Sequence, residues 1–407
     1  MNVCYQKIKH NNSMVPFLRN QFINNFTGAR YIDYLNQIDQ LSPGDIDFRI
    51  AESPVFIPKE IKNKMLAACD EIIDVIIDKD FKTITDNSIP EEFRIPGEDQ
   101  HPQMIVFDFG VCQNNNGELE PQLIEMQGFP SLFSYQLLNE SITRKYAEVP
   151  DNYDSFLNGY DHKSYLQLLK EIIIGESSIE NVVLLEIYPE LQKTKIDFRL
   201  TEKLLGISTV CLTQLIEENN QLFYFREGKK TLIKKIFNRI IFDDLKQYDL
   251  KNIIDLRKSF DVEWVPHPNW FYRISKFTLP FIENPYVPTT YFLNEITFAL
   301  PLEEYVLKPL FSYAGMGVII DVTQADIDSI KDPENWILQK KVNYAAIIQT
   351  LDEPAKVEIR LFYLWKKGWL KPIAIHNLTR LSKGKMIGTR YNEDKTWVGG
   401  TIAYFEK

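Results

Sequence analysis

The 407-residue sequence is poor in cysteine, with four residues of this type. Cys4, Cys69, Cys112 and Cys211 lie far apart and form no CxxC pair. This usage excludes a disulfide framework and is typical of a protein from the reducing cytoplasm, where we expect this chain to reside.

Long apolar runs and an excess of positive charge are also missing. No run of 18 apolar residues occurs and residues 1–13 contain no apolar h-region, so we expect neither a membrane span nor a signal peptide. The net charge is −10, whereas non-specific binders of nucleic acid or anionic membranes are normally basic. We therefore expect neither nucleic-acid nor membrane partners, while the oligomeric state stays open.

Several motifs of catalysis and nucleotide binding are absent as well. The chain has no GxGxxG fingerprint, no P-loop, no GxSxG elbow and no HExxH helix. Among the five histidines, His267 and His376 lie closest to the candidate motifs described below. We expect each to be a hydrogen-bonded structural residue without a catalytic role.

Hydrophobic periodicity indicates which elements are present. Residues 15–26 and 57–77 have apolar side chains at three- and four-residue spacing, which predicts helices. Helix-like and strand-like segments then alternate between residues 146 and 260. Strands separated by helices predict a parallel, Rossmann-like layer. After a predicted hairpin, the segment around Arg239 fits either a strand or a helix, and this arginine could bind a substrate carboxylate or pair with Asp243 or Asp244.

An acidic hairpin is predicted between residues 100 and 135. Residues 104–109 and 122–127 form two apolar strand-like runs, separated by the turn-forming cluster CQNNNGELEP. Asp108 lies on the first run, and Glu125 and Gln127 point to one face of the second. Three oxygen ligands converging in this way would suit Mg²⁺. Alternatively, the acids are strand-edge residues that face solvent.

The stretch YVLKPLFSYAGMG, residues 305–317, combines a strand-like run with a lysine and two glycines. Lys308 lies where the run ends, and Gly315 and Gly317 permit a turn whose backbone N–H groups approach an anion closely. Such an arrangement can hold nucleotide phosphates. The alternative is a surface lysine before a glycine turn.

Two arginines stand in apolar strand-like runs near the end of the chain. Arg360 lies within 359–365, and Arg380 follows in the next run. A charge in such a position needs a partner or a polar cleft.

These motifs together resemble the ATP-grasp superfamily, and most closely its circularly permuted members such as glutathionylspermidine synthetase and related uncharacterised bacterial proteins. The likeness covers residue 100 to the end. It rests on the motifs SKFTLP, VPTTYF, YVLKPLFSYAGMGV, WILQKKV, EIRLF, LTRLS and DKTWVGG. The segments FDF and LIEMQGFPS resemble the family's two acidic strands, but they come first in the chain, which suggests permutation.

The resemblance implies ATP and Mg²⁺ as cofactors. It assigns nucleotide contacts to Lys276, Lys308, Ser312, Gly315, Gly317, Gln339, Lys340 and Val342. It assigns the metal to Asp108, Glu125 and Gln127, and binding of the γ-phosphate or acyl-phosphate oxygens to the catalytic residues Arg360 and Arg380. The implied activity is ATP-dependent ligation of a carboxylate to an amine through an acyl phosphate.

One departure from the family pattern supports an alternative function. The family usually has asparagine where this chain has Gln127, and Mg²⁺ tolerates little geometric slack. The alternative is a non-catalytic ATP-binding or scaffold protein that kept the fold.

The expected fold class is α/β (α+β), a circularly permuted ATP-grasp fold. Its predicted parts are a helical scaffold (1–99), a metal-binding hairpin (100–145), a Rossmann-like layer (146–260) and nucleotide-binding lobes (261–407).

Overall fold

A computed structural model describes residues 14–129, 131–242, 245, 248, 253–312, 315–387 and 391–407. The helices are α1 Pro16–Asn25, α2 Gly28–Asp39, α3 Lys59–Ile76, α4 Phe81–Ile84, α5 Phe133–Ala147, α6 His162–Ile173, α7 Lys195–Leu205, α8 Asn269–Arg273 and α9 Gln324–Ser329. The strands are β1 Val55–Ile57, β2 Met104–Gln113, β3 Leu119–Gln127, β4 Tyr153–Asp154, β5 Val182–Glu186, β6 Ser208–Cys211, β7 Ile216–Glu218, β8 Gln221–Arg226, β9 Lys229–Ile233, β10 Lys235–Asn238, β11 Glu263–Val265, β12 Thr290–Phe292, β13 Tyr305–Pro309, β14 Trp336–Lys340, β15 Lys356–Leu364, β16 Ile373–Ser382, β17 Gly399–Thr401 and β18 Ala403–Glu406. The mixed α/β class is confirmed.

A five-stranded antiparallel sheet, ordered β17-β16-β15-β2-β3, forms the centre of the fold. The predicted hairpin is confirmed as β2 and β3. β2 is almost entirely buried because helices cover the sheet on both faces. On one face, Ile105 and Phe107 pack in the same core cluster as α3.

The opposite face of the central sheet changes character along its strands. Val106 and Phe362 lie in the core cluster that includes α5, where Phe362 stacks on Phe133 with ring centroids 4.2 Å apart. Two residues further along β2 on that face is Asp108, and two residues back along β15 is Arg360. The apolar half of this face therefore packs on helices, and the other half carries charged side chains.

The predicted parallel layer is confirmed as a four-stranded sheet, ordered β11-β10-β5-β6. Helix α7 ends at Gly206, whose positive φ of 76° closes the helix in the left-handed conformation. The segment that fitted either a strand or a helix contains strand β10, which is wholly buried. Strands β7, β8 and β9 form a separate antiparallel sheet.

A small antiparallel sheet, ordered β12-β14-β13, carries the lysine and glycine stretch. The segment 275–282 contains a six-residue 3-10 helix, Lys276–Phe281, with Pro280 inside it. Proline lacks the N–H that an α-helix interior needs, which limits this segment to a short tight turn of helix. β14 ends at Lys340, so Val342 lies beyond the strand.

Helices predicted near the N-terminus are confirmed as α1 and α3. Pro58 is the residue that precedes α3, one position before its first helical turn. The sequence did not predict β1, which pairs in parallel with β18. Among the described helices, none combines the length and apolarity needed to cross a membrane.

Candidate functional site

A row of charged side chains crosses one face of the central sheet. Glu358 on β15 is paired with Arg380 on β16, and Arg360 on β15 is paired with Asp108 on β2. Asp108 is in turn paired with Glu125 on β3. Because directly paired residues and alternate residues of one strand share a face, all five side chains point to the same side.

Asp108 lies at the centre of this row and is 1% exposed. Its two carboxylate oxygens accept hydrogen bonds from Nε and Nη2 of Arg360, both at 2.6 Å. Nη2 of Arg380 donates to Oδ2 of Asp108 at 3.0 Å. Burial would raise the pKa of Asp108, but the two guanidinium groups hold it below its ordinary value. Both candidate catalytic arginines therefore contact one buried carboxylate.

Glu358 is a site residue that the sequence analysis missed. It is buried and accepts hydrogen bonds from Arg380 and, at 2.9 Å, from the hydroxyl of Tyr344. Burial raises its pKa, and the carboxylates of Asp108 and Glu125 add to this effect. Its position two residues before Arg360 on one strand was the available signal, since such residues share a face.

Lys308 on β13 lies close to this row of charges, near Glu125 and Glu358. Its Nζ donates to the side-chain oxygen of Gln339 and lies 3.4 Å from the main-chain oxygen of Ile124. Burial lowers the pKa of Lys308 to about 8, while the nearby Glu125 raises it and Lys276 lowers it. The structure therefore brings Lys308 next to the hairpin that precedes it by about 180 residues.

Lys276 braces the turn that follows β13. Its Nζ donates to the main-chain oxygens of Ser312 at 2.5 Å and Leu310 at 3.5 Å, and it lies 3.3 Å from the Ser312 hydroxyl. Burial lowers the pKa of Lys276, and Glu125 partly opposes this. Lys276 and Ser312 thus lie at the base of the glycine loop.

The glycine loop itself has the backbone conformation that requires glycine. Gly315 and Gly317 have φ angles of 72° and 73°. A Cβ atom on Gly315 would lie 2.7 Å from Cε of Met386, in the segment after β16. The loop after β13 of the small sheet and the segment after β16 of the central sheet are therefore in contact. Tyr313 and Ala314 of the loop lie outside the described residues.

The candidate nucleotide contacts Gln339, Lys340 and Val342 occupy different environments. Gln339 is 2% exposed, and its amide nitrogen has no hydrogen-bond partner within the described residues. Lys340 is exposed at the end of β14, with its main-chain N–H donating to Thr289. Val342 is half-buried beyond the strand. Of the three side chains, that of Gln339 contacts Lys308, whose Nζ donates to its side-chain oxygen.

The three candidate metal ligands converge, but in this arrangement they do not fit a divalent cation. The Asp108 oxygens are held by two arginines, and the nearer oxygen of Glu125 accepts from the Gln127 amide at 3.2 Å and lies 3.6 Å from Arg360. In the part of the chain that the structure describes, no three His, Cys, Asp or Glu residues are placed to share a metal ion. The geometry is that of an ion-pair network.

Arg239 lies at the end of β10, near the central sheet. Its guanidinium carbon is 5.3 Å from the ring centroid of Phe129 and 5.4 Å from that of Phe198. Burial lowers its pKa, whereas the charges of Asp197 and Glu186 raise it. The predicted partners Asp243 and Asp244 lie outside the described residues.

Both histidines named from the sequence contact main-chain oxygens. His267 Nε2 lies 3.1 Å from the oxygen of Pro96, and His376 Nδ1 lies 3.0 Å from that of Ser155. Burial lowers the pKa of each imidazole. These contacts are those expected of structural histidines.

A glutathione synthetase-like effector from Globodera pallida, solved in its apo form, has a similar fold. The TM-score is 0.60 at 12% sequence identity, and the match covers 94% of this chain and 98% of that chain. No protein-family model and no curated protein matches the sequence. At this identity the likeness concerns the fold alone, a mixed α/β fold like that of the glutathione synthetase-like effector.

Proposed function

We propose that this protein is an ATP-dependent ligase that joins a carboxylate to an amine, releasing ADP and phosphate. The observation that supports this function best is the convergence of four cationic side chains around one carboxylate, Glu125. Lys276 and Lys308 come from the region of the small sheet, and Arg360 and Arg380 come from the central sheet. The glutathione synthetase-like fold is compatible with this chemistry.

The proposed reaction has two steps. A substrate carboxylate attacks the γ-phosphorus of ATP, forming an acyl phosphate and releasing ADP. The amine then attacks the acyl carbon and displaces inorganic phosphate, leaving an amide and a proton. Both steps place negative charge on oxygen atoms, which positioned lysines and arginines stabilise without a covalent nucleophile.

Three carboxylates of the site hold the cationic side chains in place through ion pairs. Four cationic side chains face Asp108, Glu125 and Glu358. We expect Mg²⁺ as the counter-ion of ATP in solution, but the steps above assign it no ligand on this chain, since Asp108 is held by two guanidinium groups. We also propose a cytoplasmic location, which the buried free thiols of Cys69, Cys112 and Cys211 suit.

One observation favours a second candidate, a non-catalytic ATP-binding protein. The Gln127 amide nitrogen points to Glu125, and Asp108 is paired with Arg360 and Arg380. A carboxylate fixed in this way could stabilise the charged side chains around it without supporting turnover.

The two candidates differ in ADP release. Purified protein is incubated with Mg-ATP and a panel of amino acids, other carboxylic acids and polyamines, and ADP is measured by a coupled assay. ADP release that requires both an acid and an amine supports the ligase. Thermal stabilisation by ATP without ADP release across the panel supports the second candidate, and lack of ATP binding contradicts both.

The affinity for ATP should fall as pH rises through about 8, the pKa of Lys308. Burial lowers this pKa from its ordinary value of 10.5, so above pH 8 the folded protein carries a neutral amine that no longer attracts phosphate. One pH unit above the pKa, about a tenth of the lysine is protonated, and affinity should be about tenfold lower. The charged groups that face Lys308 are Glu125, Lys276 and Glu358.

Isothermal titration at constant ionic strength between pH 6.5 and 9.5 measures this dependence. The matched variant is Lys308→Arg, because a guanidinium stays charged throughout this range. Its affinity should stay flat with pH. An equally flat profile for the wild-type protein would show that the Lys308 ammonium does not contact phosphate.

A further inference from the structure

A series of hydrogen bonds runs from the segment between β14 and β15 to Arg380 on β16. The Tyr344 hydroxyl donates to Oε2 of Glu358 at 2.9 Å, and the other oxygen of Glu358 accepts from Nη2 of Arg380. The same Nη2 lies 3.0 Å from Oδ2 of Asp108. Tyr344 thus reaches Arg380 through the carboxylate of Glu358.

Tyr344 is held firmly enough to serve as a fixed donor. It belongs to the link between β14 of the small sheet and β15 of the central sheet. On either side of it, Ala345 donates its main-chain N–H to Val111 at 3.0 Å and Asn343 accepts from Gln113 at 3.3 Å. Its ring fills the space above Gly110, where a Cβ atom would lie 2.5 Å from a ring carbon.

The side chains joined by these hydrogen bonds differ in how much of their surface is exposed. The side chains of Asp108 and Glu358 are 1% and 4% exposed, whereas that of Arg380 is 33% exposed. Arg380 therefore bonds to two buried carboxylates while about a third of its side chain stays accessible. A buried carboxylate needs hydrogen-bond donors, and Tyr344 supplies the one that Arg380 does not.

We propose that Tyr344 and Glu358 are positioning residues that orient the guanidinium of Arg380 toward the terminal phosphate of the nucleotide. This inference rests on the proposed nucleotide site and deepens it. Neither residue needs to touch the ligand. Their effect should be confined to the phosphate that Arg380 contacts, so they should favour ATP over ADP.

The decisive variant is Tyr344→Phe, which keeps the ring above Gly110 and removes the hydroxyl. We expect it to weaken ATP binding about five- to tenfold and to leave ADP binding within twofold of the wild-type value. Arg380→Lys should show the same selectivity with a larger loss. Because Tyr344 acts through Arg380, the double variant should bind ATP no more weakly than Arg380→Lys alone.

Two further variants separate positioning from structural support. Glu358→Gln should also weaken ATP selectively, and it tests the inference again if Tyr344→Phe does not fold. Tyr363→Phe is the matched control, since Tyr363 is a buried tyrosine of β15 whose hydroxyl approaches Cys69 on α3. Its affinities for both nucleotides should be unchanged.

Calorimetric titration with ATP and with ADP gives both affinities for each variant. Equal losses for the two nucleotides, no loss for either, or losses that multiply in the double variant would overturn the positioning role while leaving the proposed function standing. A wild-type protein that binds neither nucleotide would overturn the proposed function and this inference with it.

Discussion

Replacing Lys308 with methionine should weaken ATP binding by at least about 30-fold and leave the protein folded. A hydrogen bond to a charged group contributes roughly 1.5–3 kcal/mol, and the upper part of that range corresponds to losses of this size. Lys308 is 9% exposed, so water screens its charge little. Its Nζ also lies beside the acidic hairpin, 3.4 Å from the main-chain oxygen of Ile124.

The same substitution should change the stability of the protein far less than its affinity for ATP. Burial has lowered the pKa of Lys308 to about 8, which shows that the folded protein bears a cost for the buried ammonium. Methionine removes that cost, while Gln339 loses a hydrogen-bond donor, so the melting temperature should change by only a few degrees.

Titration calorimetry and thermal unfolding measure both effects on one sample. The control is Lys331→Met, which removes an exposed lysine and should change neither quantity. ATP affinity retained by Lys308→Met would show that this lysine does not bind phosphate. Loss of the folded state would show that its role is structural.

Replacing Asp108 with asparagine should lower the free energy of unfolding by about 3–5 kcal/mol. The substitution removes the carboxylate whose two oxygens accept from Arg360, and it leaves that buried guanidinium with the weaker partner Glu125 at 3.6 Å. Replacing Arg360 with glutamine in the same protein should recover part of the loss, because the poorly compensated charge is then removed as well.

Urea unfolding at pH 7 gives these free energies. The control is Glu171→Gln, which breaks an ion pair with Lys366 whose side chains are 37% and 40% exposed. Exposed pairs contribute about 0–1 kcal/mol, so this variant should be close to the wild-type protein. A cost below about 1 kcal/mol for Asp108→Asn would mean that the central ion pair is dispensable for folding.

Local patterns in the sequence were enough to predict most elements near the site. Apolar periodicity over a few residues predicts the hairpin, the parallel layer and strand β13. Helix α5 does not, because polar residues such as Asn139, Glu140 and Thr143 are buried along with its apolar ones. Thr143, for example, bonds to the hydroxyl of Tyr34 on α2, which lies 109 positions away, and no short window of the sequence contains that pairing.

The site was predictable in its residue types but not in its pairings. A carboxylate on β2 and arginines on β15 and β16 could be named as candidates. That Asp108 bonds to both arginines depends on the order β16-β15-β2 and on the register between strands far apart in sequence. Glu358 shows the same limit, since its partner Tyr344 comes from a segment without strand periodicity.

The strand order of the central sheet also affects folding during synthesis on the ribosome. β2 and β15 are neighbours, yet Asp108 and its partner Arg360 are 252 positions apart. A ribosome that has completed 350 residues has supplied two of the five strands, β2 and β3, with the edge of β2 still unpaired. Unpaired strand edges are sites of aggregation, so the nascent chain should depend on chaperones until β15 emerges.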